Sequence, residues 1–226
     1  MDKYEILCYG DSNTFGIISR WSETEPLRRF DRDTRWPCVL QKLLGDDCFV
    51  TEAGLGGRTT IYDPPAGEHL NGEKLLLPTL LSTRPLDLVI IKLGINDLHL
   101  AEPLPTDDLG KGITRLIQIV KQHPECGRDY CVPDILIVGP VSMRCADNNG
   151  RTEVYDRFFG QYGERQSHML SPLYRDIAKE QGCYFLDAGK YAEAAPADGL
   201  HLTAESHIKL AVAIAGKVEE IRQRKL

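Results

Sequence analysis

Short apolar runs recur along the chain, and each is followed by a stretch whose apolar positions have helical spacing. Runs without the in-out alternation of a half-exposed strand predict strands buried on both faces, and their interleaving with helices predicts a parallel sheet covered on both sides. The predicted strands are Glu5 to Tyr9, Cys48 to Glu52, Leu88 to Leu93, Ile135 to Val138 and Cys183 to Leu186. Leu88-Val89-Ile90-Ile91 shows no alternation, which places it at the centre of the sheet.

Between the strands, Pro37 to Leu44 reads as a helix with proline in its first turn and Gly45 just past its end. Asp107 to Gln122 gathers Ile113, Leu116, Ile117 and Val120 on one helical face. Gly163 to Gln181 is also helical in pattern, with Pro172 expected to start, kink or break part of it. A last helix carries the stripe Leu210, Ala211, Ile214, Val218 and Ile221, and Thr203, Glu205 and Ser206 mark its start. Two segments escape this pattern: Ser19 to Thr34, charged and carrying Trp21 and Pro26, and Val141 to Gly160, polar with Tyr155, Phe158 and Phe159. Excursions of that kind on an α/β scaffold build substrate pockets or subunit contacts.

A length of 226 residues suits one domain spanning 1–226. The formal net charge of -6 argues against a nucleic-acid binder, which needs a basic footprint to neutralise phosphates. No apolar run approaches the length of a membrane span, and Met1 to Glu5 leads straight into Ile6-Leu7-Cys8-Tyr9 with no room for a secretory leader. The seven cysteines include no Cys-x-x-Cys pair, so reduced thiols in the cytoplasm are expected and a zinc site is not.

The candidate chemistry sits at predicted strand ends, where open parallel sheets collect their ligands. Ser12 follows the first strand in Gly10-Asp11-Ser12-Asn13-Thr14, which is not a Gly-x-Ser-x-Gly elbow and by itself also fits a polar turn. Gly54-Leu55-Gly56-Gly57 follows the second strand and lacks the spacing of a dinucleotide fingerprint. Gly94-Ile95-Asn96-Asp97 follows the third, where the Asn96 amide could donate to an oxyanion or merely cap a turn. Near the C-terminus, Asp198-Gly199-Leu200-His201 spaces a carboxylate and an imidazole so that one can orient the other, although Thr203 as a helix cap would explain the same segment. A serine hydroxyl becomes a nucleophile when an oriented imidazole takes its proton, and the four motifs in this order supply that chemistry. His69, His99, His123, His168 and His207 have no comparable company and read as structural or solvated, with His99 close enough to Asn96 to line a pocket.

The four blocks, Gly10-Asp11-Ser12, Gly57, Gly94-x-Asn96-Asp97 and Asp198-x-x-His201, resemble those of the SGNH (GDSL-type) hydrolases over nearly the whole chain. The resemblance implies a flavodoxin-like three-layer α/β sandwich with a central five-stranded parallel sheet, and an esterase needing no metal or organic cofactor. It implies Ser12 as nucleophile, His201 as base and Asp198 as its orienter, with an oxyanion hole from the N–H groups of Ser12 and Gly57 and the side chain of Asn96. Asp31 to Trp36, Gly57 to Thr60, Leu70-Asn71-Gly72 and Pro85 to Ile91 look like the bacterial arylesterase and acyltransferase branch. That likeness implies small, short-chain ester substrates, possible transfer to other alcohols and a homo-oligomer. Carbohydrate acetyl esterases share the same blocks, and a non-catalytic ligand-binding module on this scaffold is the reading from a different class. Asn13 stands where the family usually has leucine, a departure expected to bear on acyl specificity.

Overall fold

The computed structural model describes residues 3–22, 24–144 and 153–224. Five parallel strands, β1 (Tyr4–Gly10), β2 (Cys48–Gly54), β3 (Leu88–Lys92), β4 (Asp134–Gly139) and β5 (Tyr184–Asp187), form one sheet in the order β2-β1-β3-β4-β5. This is the flavodoxin-like order. The helices are α1 (Ser12–Phe15), α2 (Trp36–Leu44), α3 (Gly72–Thr83), α4 (Lys111–Gln122), α5 (Glu153–Arg157), α6 (Gln161–Glu180) and α7 (Ala204–Gln223).

The uniformly apolar strands are buried because each face of the sheet carries its own core. Leu7, Tyr9, Val89, Ile91, Ile135 and Ile137 pack on one face with Leu76 and Leu80 of α3, Ile113, Leu116 and Val120 of α4, and Leu170 and Tyr174 of α6. Ile6, Cys8, Leu88, Ile90, Leu136 and Val138 pack on the other with Trp36 and Leu40 of α2 and the Leu210, Ala211, Ile214, Val218 and Ile221 stripe of α7. The period-two alternation of a strand thus feeds two apolar layers, as a three-layer sandwich requires.

The helices differ from expectation in three places. Helix α6 runs unbroken through Pro172, its buried face of Leu170, Ser171, Tyr174 and Ala178 packed beside β4 and β5. That packing outweighs the hydrogen bond that proline's missing N–H cannot make. Helix α3 has no counterpart in the sequence reading because Pro78 lies inside it. Its start is well defined, however: the Asn71 side chain accepts from the N–H groups of Glu73 and Lys74. Helix α4 starts at Lys111 rather than Asp107, after a 3-10 turn at Thr106–Asp108.

Strand register sets the level of the functional edge. Gly10 of β1 pairs with Gly54 of β2 on one side and Lys92 of β3 on the other, so the three following segments leave the sheet side by side. The glycines make this crowding possible. A Cβ on Gly54 would stand 2.1 Å from the backbone nitrogen of Phe15, against the turn that carries Ser12. Gly54→Ala is expected to destabilise the fold by about 1–3 kcal/mol by overpacking this junction. Denaturant unfolding checks this, and a variant as stable as wild type would show that the turn is free to move.

Candidate active site

Helix α1 begins at Ser12, immediately after β1, and its cap explains the local fold. The Asp11 side chain accepts from the N–H of Asn13 at 2.9 Å, while Gly16 closes the single turn with φ of 90°. Ser12 itself is 4% exposed. The segment after β2 is tied back to the same strand end, with Leu55 N–H donating to Gly10 O at 3.0 Å and the Arg58 guanidinium donating to the carbonyls of Gly10 and Ala53 at 2.9 and 2.6 Å. Gly57 adopts φ of 77°, a conformation that favours glycine.

Asn96 and Gly57 come together through Arg58. The Asn96 Nδ2 donates to Arg58 O at 3.0 Å, which fixes the amide and leaves its second N–H for another acceptor. Neither the N–H of Ser12 nor that of Gly57 donates to a protein acceptor among the described residues. Asp97 locks the arrangement from below: its carboxylate accepts from the N–H and hydroxyl of Thr60 at 2.7 and 2.6 Å.

The last motif forms a tight loop after β5. Asp198 Oδ1 accepts from the N–H groups of Leu200 and His201 at 3.0 and 2.9 Å, and Oδ2 lies 2.7 Å from Nδ1 of His201. Burial pushes the Asp198 carboxyl upward, but His201 and these two N–H groups more than offset it and hold it below the usual carboxylate value. The carboxylate therefore orients the ring with Nδ1 as its partner, leaving Nε2 for other work. Gly199 takes φ of 68°, and a Cβ there would meet the carbonyl oxygen of Arg144 at 1.9 Å. Thr203 caps α7, accepting from Ser206 N–H at 3.0 Å, so the two explanations of this segment hold together: one loop both starts the helix and pairs the side chains.

The serine and histidine segments meet through a residue whose part was not foreseen. Asn13 is 3% exposed, and its side chain bonds to Leu200 O at 3.3 Å and to Leu202 N at 2.9 Å, on either side of His201. Its amide is thus spent on the histidine loop, in the position where the sequence leads us to expect an influence on acyl specificity. The neighbouring cleft is lined by Arg20, Trp21, Ser22, Glu153, Val154 and Arg157 together with Asp198, Leu200 and His201. Both irregular excursions therefore reach the site, although residues 145–152 of the second, with Cys145, lie outside the described residues.

The other histidines are placed elsewhere. His207 is buried against the ring of Phe30, its centroid 5.3 Å away. Burial, with Lys92 and His201 nearby, pushes its pKa down to about 3, which keeps it neutral. His99 stacks on Phe158, and His123 pairs with Glu125 at 2.8 Å. Among the described residues no group of His, Cys, Asp and Glu side chains is arranged to hold a metal ion, and no helix is long and apolar enough to cross a membrane.

Comparison with known proteins agrees with this geometry. The family model described as GDSL-like Lipase/Acylhydrolase matches residues 8–207. The native aryl esterase of M. smegmatis is 33% identical, with a TM-score of 0.87 over 96% of this chain and 99% of that one. A carbohydrate acetylesterase from Sinorhizobium meliloti is 34% identical, with a TM-score of 0.87 over 97% and 100% of the two chains. A second structure from that organism, described as a carbohydrate acetylesterase family member, is 37% identical with a TM-score of 0.84 over 96% and 98%. No curated protein matched the chain.

The buried Asp97 carboxyl makes this region sensitive to pH. Burial pushes its pKa up to about 7, against the bonds from Thr60 that favour ionisation. An unfolded aspartate titrates near 3.9, so between about pH 4 and about pH 7 the folded chain holds a proton that the unfolded chain has released. Stability therefore falls as pH rises through that window. Denaturant midpoints should show wild type losing stability relative to Asp97→Asn over this range, and parallel profiles would contradict the buried carboxyl's protonation.

Proposed function

The chain belongs to the GDSL-like lipase/acylhydrolase family and is a serine ester hydrolase, and on that premise we propose that Ser12, His201 and Asp198 carry the reaction. The observation that carries this reading is the 2.7 Å bond between Asp198 Oδ2 and His201 Nδ1, on a loop laced to the serine turn by Asn13. His201 removes the Ser12 hydroxyl proton as the oxygen attacks the ester carbonyl. It then protonates the leaving alcohol and finally activates water to release the acid. Asp198 keeps the imidazole in the useful tautomer and stabilises its charged form.

The developing oxyanion is received by the N–H groups of Ser12 and Gly57 and the free N–H of Asn96, with one such donor typically worth about 3–4 kcal/mol of barrier. Arg58 supports all three by holding the Gly10 carbonyl and by accepting from Asn96. The substrates we assign are small, short-chain esters, because the cleft beside His201, bounded by Arg20, Trp21, Glu153 and Arg157, has a volume of only about 50 Å³ and leaves little room for a long acyl tail. An alcohol in place of water would make the same acyl-enzyme a transferase. The exposed Trp21 and Leu27 of the first excursion favour a homo-oligomer, and the free thiols of the described cysteines suit the cytoplasm.

A second reading, deacetylation of sugars, is favoured by the composition of the cleft. Trp21 is 53% exposed and offers an aromatic face among Arg20, Ser22 and Glu153, a combination suited to a sugar ring and its hydroxyls.

Ser12→Ala should abolish turnover of p-nitrophenyl acetate with the fold intact by circular dichroism, whereas near wild-type turnover would remove Ser12 from the mechanism. On wild type, kcat/KM should fall from acetyl to octanoyl p-nitrophenyl esters; a rise with chain length would contradict the small cleft as the acyl site.

A further inference from the structure

The side chain after Ser12 is an amide, and an amide offers one donor face and one acceptor face. Where the chain bends, a carbonyl and the N–H two residues further on can come within reach of one side chain, so a single amide can hold both. Asn13 does this with Leu200 O and Leu202 N, bracketing His201. The groups of His201 itself point the other way: its N–H donates to Asp198 Oδ1 at 2.9 Å, and its carbonyl accepts from Ala195 N–H at 2.7 Å. Every backbone polar group from Leu200 O to Leu202 N therefore has a named partner.

We propose that Asn13 is the positioning residue that sets where His201 stands relative to Ser12. The inference rests on Ser12 and His201 acting as proposed above. Among the described residues, the two Asn13 bonds are the hydrogen bonds that join residues 11–16 to residues 198–203. Asn13 is itself held at its N–H by Asp11, one residue before Ser12, so the clamp is rigid at its serine end. The Asp198–His201 pair, by contrast, is internal to its own loop and survives a shift of that loop as a unit. Nucleophile and base come from opposite ends of the chain, and His201 acts in both acylation and deacylation at hydrogen-bond reach of the Ser12 oxygen, so a fixed link between the two segments sets the rates of both steps alike rather than the binding of ester.

The test uses the full chain with Asn13→Ala and Asn13→Asp, beside Ser12→Ala, assayed on p-nitrophenyl acetate. Asn13→Ala should lower kcat by about ten- to a hundred-fold while KM stays within about two-fold, and should slow fluorophosphonate labelling of Ser12 in proportion. The downfield proton resonance of the Nδ1–H held between His201 and Asp198 should remain, because the pair moves intact. Asn13→Asp keeps the acceptor for Leu202 N–H but loses the donor to Leu200 O, and should fall between wild type and Asn13→Ala. Wild-type kcat in Asn13→Ala would overturn the proposal, as would disappearance of the downfield resonance together with activity, since that reports collapse of the loop. If Asn13→Ala does not fold, Asn13→Asp decides alone: lowered kcat at unchanged KM supports the clamp, and wild-type kcat overturns it. Turnover by Ser12→Ala in the same assay would instead overturn the catalytic reading on which the clamp depends.

Discussion

A carboxylate buried to 3% exposure must have its lone pairs satisfied, and at Asp198 this requirement shapes the whole C-terminal side of the site. One oxygen gathers the N–H groups of Leu200 and His201, which folds the loop, and the other takes the imidazole, which orients the ring. The turn so formed demands the left-handed conformation at Gly199, and it delivers the chain to Thr203 in position to cap α7. Helix α7 then packs its apolar stripe on the sheet, so the same turn that holds the imidazole also launches a core helix.

The opposite side of the site is built on strand register. Three segments leave β1, β2 and β3 at one level, and they can do so because Gly10 leaves room for the Thr14 side chain and Gly54 for the backbone of Phe15. Hydrogen bonds then knit the segments together: Arg58 reaches back to Gly10, Asn96 reaches across to Arg58, and Asp97 grips Thr60. Donors held in place this way need no reorganisation when negative charge appears, which is what gives an oxyanion site its effect.

Much of this was legible in the chain. The strands lie within a residue or two of where unalternating apolar runs put them, and the motifs at their ends meet on one edge because parallel strands send every following loop the same way. The less legible features depend on tertiary partners. Helix α3 was hidden by Pro78, and α6 passes through Pro172, since local propensity does not report the packing that overrides it. Asn13, Arg58 and Asp97 gave no periodic or motif signal that separates a clamp from a turn residue. Their partners lie 187, 48 and 37 positions away, at Leu200, Gly10 and Thr60. The polar character of Asn13, in a place where a leucine was expected, was the available clue, and only the bracketing of His201 gives it a meaning.

In the proposed mechanism these elements converge on one covalent event, the acylation of Ser12. Rapid quenching of the protein during turnover of p-nitrophenyl acetate, followed by proteolysis and tandem mass spectrometry, observes that event directly. The account predicts an acetyl group on Ser12 that accumulates within the first turnover and disappears as substrate is consumed. An acetyl group on another side chain, or turnover with no acylated peptide at any quench time, would contradict it.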